Sequence, residues 1–238
     1  MKEALTTAMW NSQRKMAFTL AEVLITLGII GVVAALTMPA LIGNYRKVQT
    51  VTKLKKAYSS LQQSVQMSQF KYGDIANWDW TLDAEEFFKL YLSSNLSVIK
   101  FCSNRDNTCW NEDGAFMLNG EKYSDSPLTN GWIKMILSDG TFIALQKQDN
   151  NHIHLNLDLN GSVRPNTLGI DIFVMTLASN SLKDSMHNIS NAGLFMYGHG
   201  LPENELKSAG CSKSSTGLMC GEKILMDGWD IKDDYPWK

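Results

Sequence analysis

The stretch "KMAFTLAEVLITLGIIGVVAALTMPALI" spans Lys15 to Ile42, and from Phe18 onward its only charge is Glu22. A helix needs about 20 apolar residues to cross a hydrocarbon core. Here 25 residues, Phe18 to Ile42, supply them with that one exception. A secretory signal has a shorter apolar core and ends at a small-residue cleavage site. The flank "TMPALIGNY" (Thr37 to Tyr45) does not match such a site. A retained membrane helix over residues 18–42 is therefore expected. A carboxylate at mid-membrane costs roughly 2.5–3.5 kcal/mol. Near a helix end it costs less, because it reaches the headgroups and the helix dipole favours it. The plainest account of Glu22 is an interfacial acid in the first turn.

The neighbouring residues add a second account. Two basic residues, Arg14 and Lys15, precede the small Ala17, then Phe18-Thr19-Leu20-Ala21-Glu22, then the apolar run. A cut between Ala17 and Phe18 would create an ammonium four residues from Glu22. The ammonium of one copy would then pair with the Glu22 of the next, and two groups that are each costly in lipid would neutralise one another. These residues resemble the N-terminus of type IV pilins and type II secretion pseudopilins. The resemblance implies a leader (residues 1–17) removed by a prepilin peptidase after Ala17, and N-methylation of Phe18. It also implies Glu22 as the assembly carboxylate and Pro39 as a helix-loosening proline at a characteristic depth. Ala stands at 17 where the family commonly has Gly, and the leader is longer than in many members. A start at Met16 would remove the basic residues that the motif needs.

The implied fold is α+β and pilin-like: a long N-terminal helix packed on an antiparallel β-meander, with a disulfide-bearing C-terminal region. The implied organisation is a leader (1–17), a membrane and assembly helix (18–42) and a globular domain (43–238). The implied partners are other copies and other pilins or pseudopilins, the prepilin peptidase, an inner-membrane assembly platform and membrane lipid. The implied location is the bacterial inner membrane, single-pass, with the C-terminal domain periplasmic or extracellular. Counting Lys and Arg near the two membrane ends argues the other way. Lys2, Arg14 and Lys15 precede the run, while Arg46, Lys47, Lys53, Lys55 and Lys56 follow it. The implied cytoplasmic-face peptidase and the cysteine pairs outweigh that count.

Beyond Gly43, Val48, Val51, Leu54, Tyr58, Leu61 and Val65 recur at spacings of 3 and 4. That is one stripe of an amphipathic helix. The helix is expected to run from about Phe18 to Tyr72 and to stop at Gly73, with its first half in lipid or among sister helices. The basic residues from Arg46 to Lys56 are expected on its solvated face. "TLDAEEFFKLYL" (Thr81 to Leu92) predicts a short helix capped by Asp83, burying Phe87, Phe88, Tyr91 and Leu92. "WIKMILSDGTFIALQKQ" (Trp132 to Gln148) predicts a hairpin turning at Asp139-Gly140. "HIHLNLDLNG" (His152 to Gly161) alternates, so a half-buried strand is expected, and "GIDIFVMTL" (Gly169 to Leu177) predicts another. In the tail, Asp227-Gly228 predicts a turn, and Trp229, Tyr235 and Trp237 are placed to dock on the sheet. Asp230, Asp233 and Asp234 are either solvated or a contact for a basic stretch of a neighbouring copy.

Four cysteines form two close pairs, Cys102 with Cys109 and Cys211 with Cys220. Beside a membrane segment, such pairs suggest disulfides in an oxidising compartment. Three pairings exist, and the two local ones are favoured. A four-thiolate zinc site needs closer spacing, and free buried thiols are the remaining reading. His152 and His154 share one strand face. That suits a metal, but it suits solvent-side residues of a strand better. In "DLNGSVRPNTLGID", Asp158, Asn160, Ser162 and Asp171 offer oxygens for calcium. A strand–turn–strand connection built on Asn, Gly and Pro uses the same residues.

Seven Trp, nine Phe and seven Tyr can build a core, and a net charge of −2 gives no argument for nucleic acid. No G-x-S-x-G, H-E-x-x-H or Cys–His signature is present. A non-enzymatic fibre subunit, without a required cofactor, is thus the leading expectation. The alternatives are a membrane-anchored adhesin or binding module on a pilin-like stem, and a tethered hydrolase.

Overall fold

A computed structural model of the chain describes residues 18–124, 127 and 131–237. The expected leader, residues 1–17, and with it Ala17, lies outside the described residues. The chain divides into two units, residues 1–45 and 46–238. The helix α1 (Leu20–Tyr72) begins in the first and ends in the second.

In the second unit α1 packs on a sheet through Leu54, Ala57, Leu61 and Val65. The sequence stripe is right from Leu54 onward and wrong at its start, because Val48 is 66% exposed. The buried face also takes in two serines, Ser64 beside Val65 and Ser68 beyond it. Ser64 Oγ donates to Leu92 O at 3.1 Å, and Ser68 Oγ donates to Tyr91 O. These hydroxyls satisfy carbonyls at the end of the next helical segment, so small polar residues serve the buried face. Gly73, at φ 85°, ends the helix in a conformation that other residues adopt at a cost.

The short helix α2 (Ala84–Phe87) continues as a π-turn over Phe88–Leu92. Asp83 caps it, accepting from Glu85 N and Glu86 N at 2.9 Å each. Phe87, Phe88, Tyr91 and Leu92 are all buried, as the spacing required. Trp78 stacks on Tyr91 at 4.4 Å and closes this aromatic corner.

Six antiparallel strands follow. They are β1 (Val98–Cys102), β2 (Trp132–Leu137), β3 (Phe142–Lys147), β4 (His152–Asp158), β5 (Ile172–Ala178) and, after a separate hairpin of β6 (Leu182–Lys183) and β7 (Asn188–Ile189), β8 (Gly193–Met196). The order in the sheet is β1-β2-β3-β4-β5-β8, while β6 and β7 pair only with each other. The turn between β2 and β3 is the expected one: Gly140, at φ 85°, donates to Leu137 O at 3.0 Å. Small helices α3 (Glu203–Glu205) and α4 (Cys220–Met226) complete the chain. The architecture is α+β: a long N-terminal helix, a six-stranded antiparallel sheet and two disulfides.

The half-buried strand expected at His152–Gly161 needs correction. Residues 155–158 of β4 are all buried, on both faces of the sheet. One face carries Ile143, Leu145, Ile153, Leu155, Leu157, Phe173 and Met175, packed with α1 and α2. The other carries Trp132, Phe142, Ala144, Ile172 and Val174, interleaved with buried Lys134, Asn156, Asp158 and Thr176. Loops cover this second face. Trp110 Nε1 donates to Asp158 Oδ2 at 2.8 Å, and Tyr197, Leu201, Leu206 and Met219 join the same cluster. Alternation marks one face as polar, but it does not say whether water or loops lie above it.

In the basic stretch Arg46, Lys53, Lys55 and Lys56 are exposed, as expected, and three of them also reach the domain. Lys53 Nζ donates to Leu159 O at 3.2 Å, Lys56 pairs with Asp139 at 2.7 Å, and Lys55 lies 5.9 Å above the Trp229 ring. Three of these solvated cations therefore also link the helix to the domain. The tail docks on the domain, Tyr235 OH donating to Gly169 O at 2.6 Å, but Trp229 meets α1, 5.4 Å from Tyr58, where the sheet was expected. Of the acidic trio, Asp234 is used internally, pairing with Lys207 at 2.8 Å and Lys223 at 3.3 Å.

Candidate assembly and membrane segment

The N-terminal segment opens with Thr19-Leu20-Ala21-Glu22, which forms a capping box. Glu22 N donates to Thr19 Oγ1 at 3.3 Å, and Thr19 N donates back to Glu22 Oε2 at 2.8 Å. The Thr19 hydroxyl also donates to Oε2 at 2.8 Å. All three contacts fall on one carboxylate oxygen or the hydroxyl. Glu22 Oε1 takes no bond from the described residues. The T-x-x-E spacing was present in the sequence and would have identified the cap.

From Phe18 to Tyr45 no described residue is buried. Phe18 is 86% exposed and Leu36 76%. The segment is apolar around its whole circumference, with a mean hydropathy of 2.3 over its best window. Among the described residues α1 is the one helix long and apolar enough to cross a membrane. Pro39 lies inside the helix, which continues unbroken through it. Its ring nitrogen has no hydrogen, so the carbonyl of Ala35 lacks its regular donor. Thr26 and Thr37 return their hydroxyls to the backbone, donating to Val23 O at 3.0 Å and Val33 O at 2.9 Å. No polar side chain but Glu22 therefore reaches out from residues 20–42.

Both local cysteine pairings form. Cys102–Cys109 and Cys211–Cys220 are disulfides, and no free cysteine remains. The first closes a loop around Lys134, whose side chain is fully buried. Lys134 Nζ donates to Asn104 O at 3.1 Å, Asp106 O at 3.2 Å and Asn107 Oδ1 at 2.8 Å. Three donors meet three acceptors, as a buried ammonium requires. Burial draws its pKa down, and Asp106 partly restores it.

The four candidate calcium residues are only partly brought together. Asp171 Oδ2 accepts from Asn166 N at 2.9 Å and Asn160 Nδ2 at 3.2 Å, while Oδ1 accepts from Thr167 N at 2.7 Å. Its carboxylate is thus spent holding the turn at Pro165. Asp158 is occupied by Trp110 and by Asn160 N at 3.1 Å, and Ser162 is exposed. Burial raises the Asp158 carboxyl to about 7, against the pull of Trp110. Asp171 is also raised by burial, opposed by its backbone donors. Among the described residues no three His, Cys, Asp or Glu side chains converge to hold a metal.

His152 and His154 share a face, as expected, but it is the loop-covered face and not the solvent side. His187 joins them, with ring centroids 5.2–6.1 Å apart. Sequence reasoning missed His187 because 33 residues separate it from His154.

No curated protein and no solved structure matches the chain. A family profile, described as a family of unknown function (DUF6613), matches residues 40–238. That match takes in the whole globular unit and the end of the apolar run, so the chain belongs to this family.

Proposed function

We propose that the protein is a fibre subunit of the pilin or pseudopilin type, serving a type IV pilus or a type II secretion fibre. In this reading it is held in a bacterial inner membrane by residues 18–42, with the disulfide-bearing domain outside the cytoplasm. A prepilin peptidase removes residues 1–17, Phe18 is N-methylated, and the helix passes from lipid into a bundle of sister helices. A head-to-tail contact that does not close on itself extends as a filament.

One observation carries this reading. A helix that is apolar on every side starts with a single acid, and one oxygen of that acid has no partner among the described residues. The cap uses Oε2, and Oε1 is left for the ammonium of an adjacent copy. The two disulfides support an oxidising location for the domain.

A plain membrane anchor bearing a binding or adhesin module has one point in its favour: the capping box gives Glu22 a task within its own helix. Intact-mass and N-terminal peptide mass spectrometry separates the two. The fibre reading expects a chain that begins at N-methylated Phe18. A chain that keeps residues 1–17 in the functional assembly supports the plain anchor and overturns the fibre reading.

A further inference from the structure

The β6–β7 hairpin belongs to no larger sheet, and one histidine on its turn closes over two others. His152 and His154 rise from β4, and His187 descends from the turn of the hairpin. Their centroids lie 5.2 Å (152 to 154), 5.9 Å (154 to 187) and 6.1 Å (152 to 187) apart. Tyr197 stands edge-on to His154 at 5.3 Å and to His187 at 4.6 Å. The turn itself is built by Asp184, which accepts from Met186 N at 2.7 Å.

The facing charges are unequal to the rings. Asp149, before β4, meets His152 Nδ1 at 3.0 Å, and Asp184 meets His187 Nδ1 at 3.1 Å. From β5, Thr176 Oγ1 lies 3.0 Å from His187 Nε2. From β3, the residue opposite His154 is the neutral Gln146. From β8 comes Phe195, and beyond it His199 is already paired with Glu222 at 2.8 Å. Among the described residues no carboxylate pairs directly with His154, on which Asp184 and Asp149 act only from a distance, and its Nε2 is buried without a hydrogen-bond partner.

We propose that this cluster is an acid-operated latch on the β6–β7 hairpin: three imidazoles share two carboxylates, and the hairpin stays closed only while His154 is neutral. A proton on His154 would be a buried cation whose nearest carboxylates, Asp149 and Asp184, are already engaged by His152 and His187. Lifting the hairpin removes His187 and admits water, which relieves both costs. Little else holds the hairpin. Asn188 N donates to His199 O at 3.0 Å, Asn188 Nδ2 donates to Gly200 O at 3.0 Å, and Ile189 is buried.

Burial, and then the two neighbouring imidazoles, hold His154 at about 3 in the closed state. His187 is also held below its ordinary value, chiefly by burial. Both depressions make the closed state bind fewer protons than the open one. The stabilisation is complete above about 6.5 and is lost as the pH falls from there toward 3.

The test is hydrogen–deuterium exchange on the full chain in detergent, corrected for intrinsic rates, with β4 and β5 as internal references. Protection of residues 182–189 is expected to fall about 100-fold between pH 7.5 and pH 4.5 from His154 alone. His154→Phe keeps an aromatic ring and should remove His154's share of that change, leaving a clearly smaller response. His187→Phe removes the pin, so residues 182–189 should exchange fast at both pH values. Unchanged wild-type protection, or a full response in His154→Phe, overturns the proposal. If the variants do not fold, the wild-type imidazole proton titration still decides. A His154 midpoint well below 6.5 that tracks hairpin opening supports the latch, and a midpoint at 6.5 or above overturns it.

Discussion

Glu22→Gln separates the two tasks that the structure leaves open to one side chain. Gln at the third helical position still accepts from Thr19 N, so the capping box survives. Only the charge is lost. An unpaired carboxylate in lipid costs roughly 2.5–3.5 kcal/mol, and pairing with an ammonium recovers most of it. Each subunit added to a fibre would then gain about 2–3 kcal/mol from the pair, or roughly 30–150-fold in its association constant. Glu22→Gln should therefore enter membranes at least as well as the wild type and keep its helicity by circular dichroism. It should yield few or no sheared filaments when co-expressed with its processing enzymes. Glu22→Ala loses the charge and also about 1 kcal/mol of capping. Thr19→Val loses the hydroxyl that exchanges bonds with Glu22 but keeps the charge, so it should frayed-end the helix slightly and still assemble. Filament yield is read by shearing and pelleting, against the membrane fraction as the control for insertion. Wild-type filament yield from Glu22→Gln would refute the pairing and leave Glu22 as a helix cap.

Other outcomes follow from the globular unit. Lys134→Ala leaves the acceptors of the first disulfide loop without their donor, so urea unfolding should show a loss on the order of 3 kcal/mol. Asp158→Asn should keep an acceptor for Trp110. The folded-state value near 7 lies above the ordinary 3.8, so the wild type loses stability as the pH rises through that interval. The variant should therefore gain on the wild type between pH 5 and pH 8, by a few kcal/mol on the order of the shift. A variant that is less stable than the wild type at pH 8 would show that the ionised carboxylate is well accommodated. Replacing Cys211 and Cys220 by Ser opens a bridge of sequence separation 9. The chain-entropy relation gives about 2.5 kcal/mol for that loop, measurable as a lower thermal midpoint.

Local chemistry was enough for several elements. The 25-residue apolar run, the Asp83 cap, the Asp139-Gly140 turn and the two short cysteine loops each depend on residues a few positions apart. Steric and hydrogen-bonding rules act at that range without help from the rest of the fold. The capping box was equally legible, since Thr19 and Glu22 sit three residues apart.

What the tertiary structure decided is which polar groups are dry. Alternation in β4 marks His154, Asn156 and Asp158 as one face, but whether that face meets water depends on loops drawn from residues 103 to 219. Lys53, Lys55 and Lys56 do form an exposed stripe, but only the fold shows that they reach Leu159, Trp229 and Asp139. His187 reaches His154 only through the hairpin that follows β5. A side chain's period along the chain is a property of its own backbone. Its burial and its charge partners belong to whichever distant segments fold over it, and those contacts exist only once the sheet is covered.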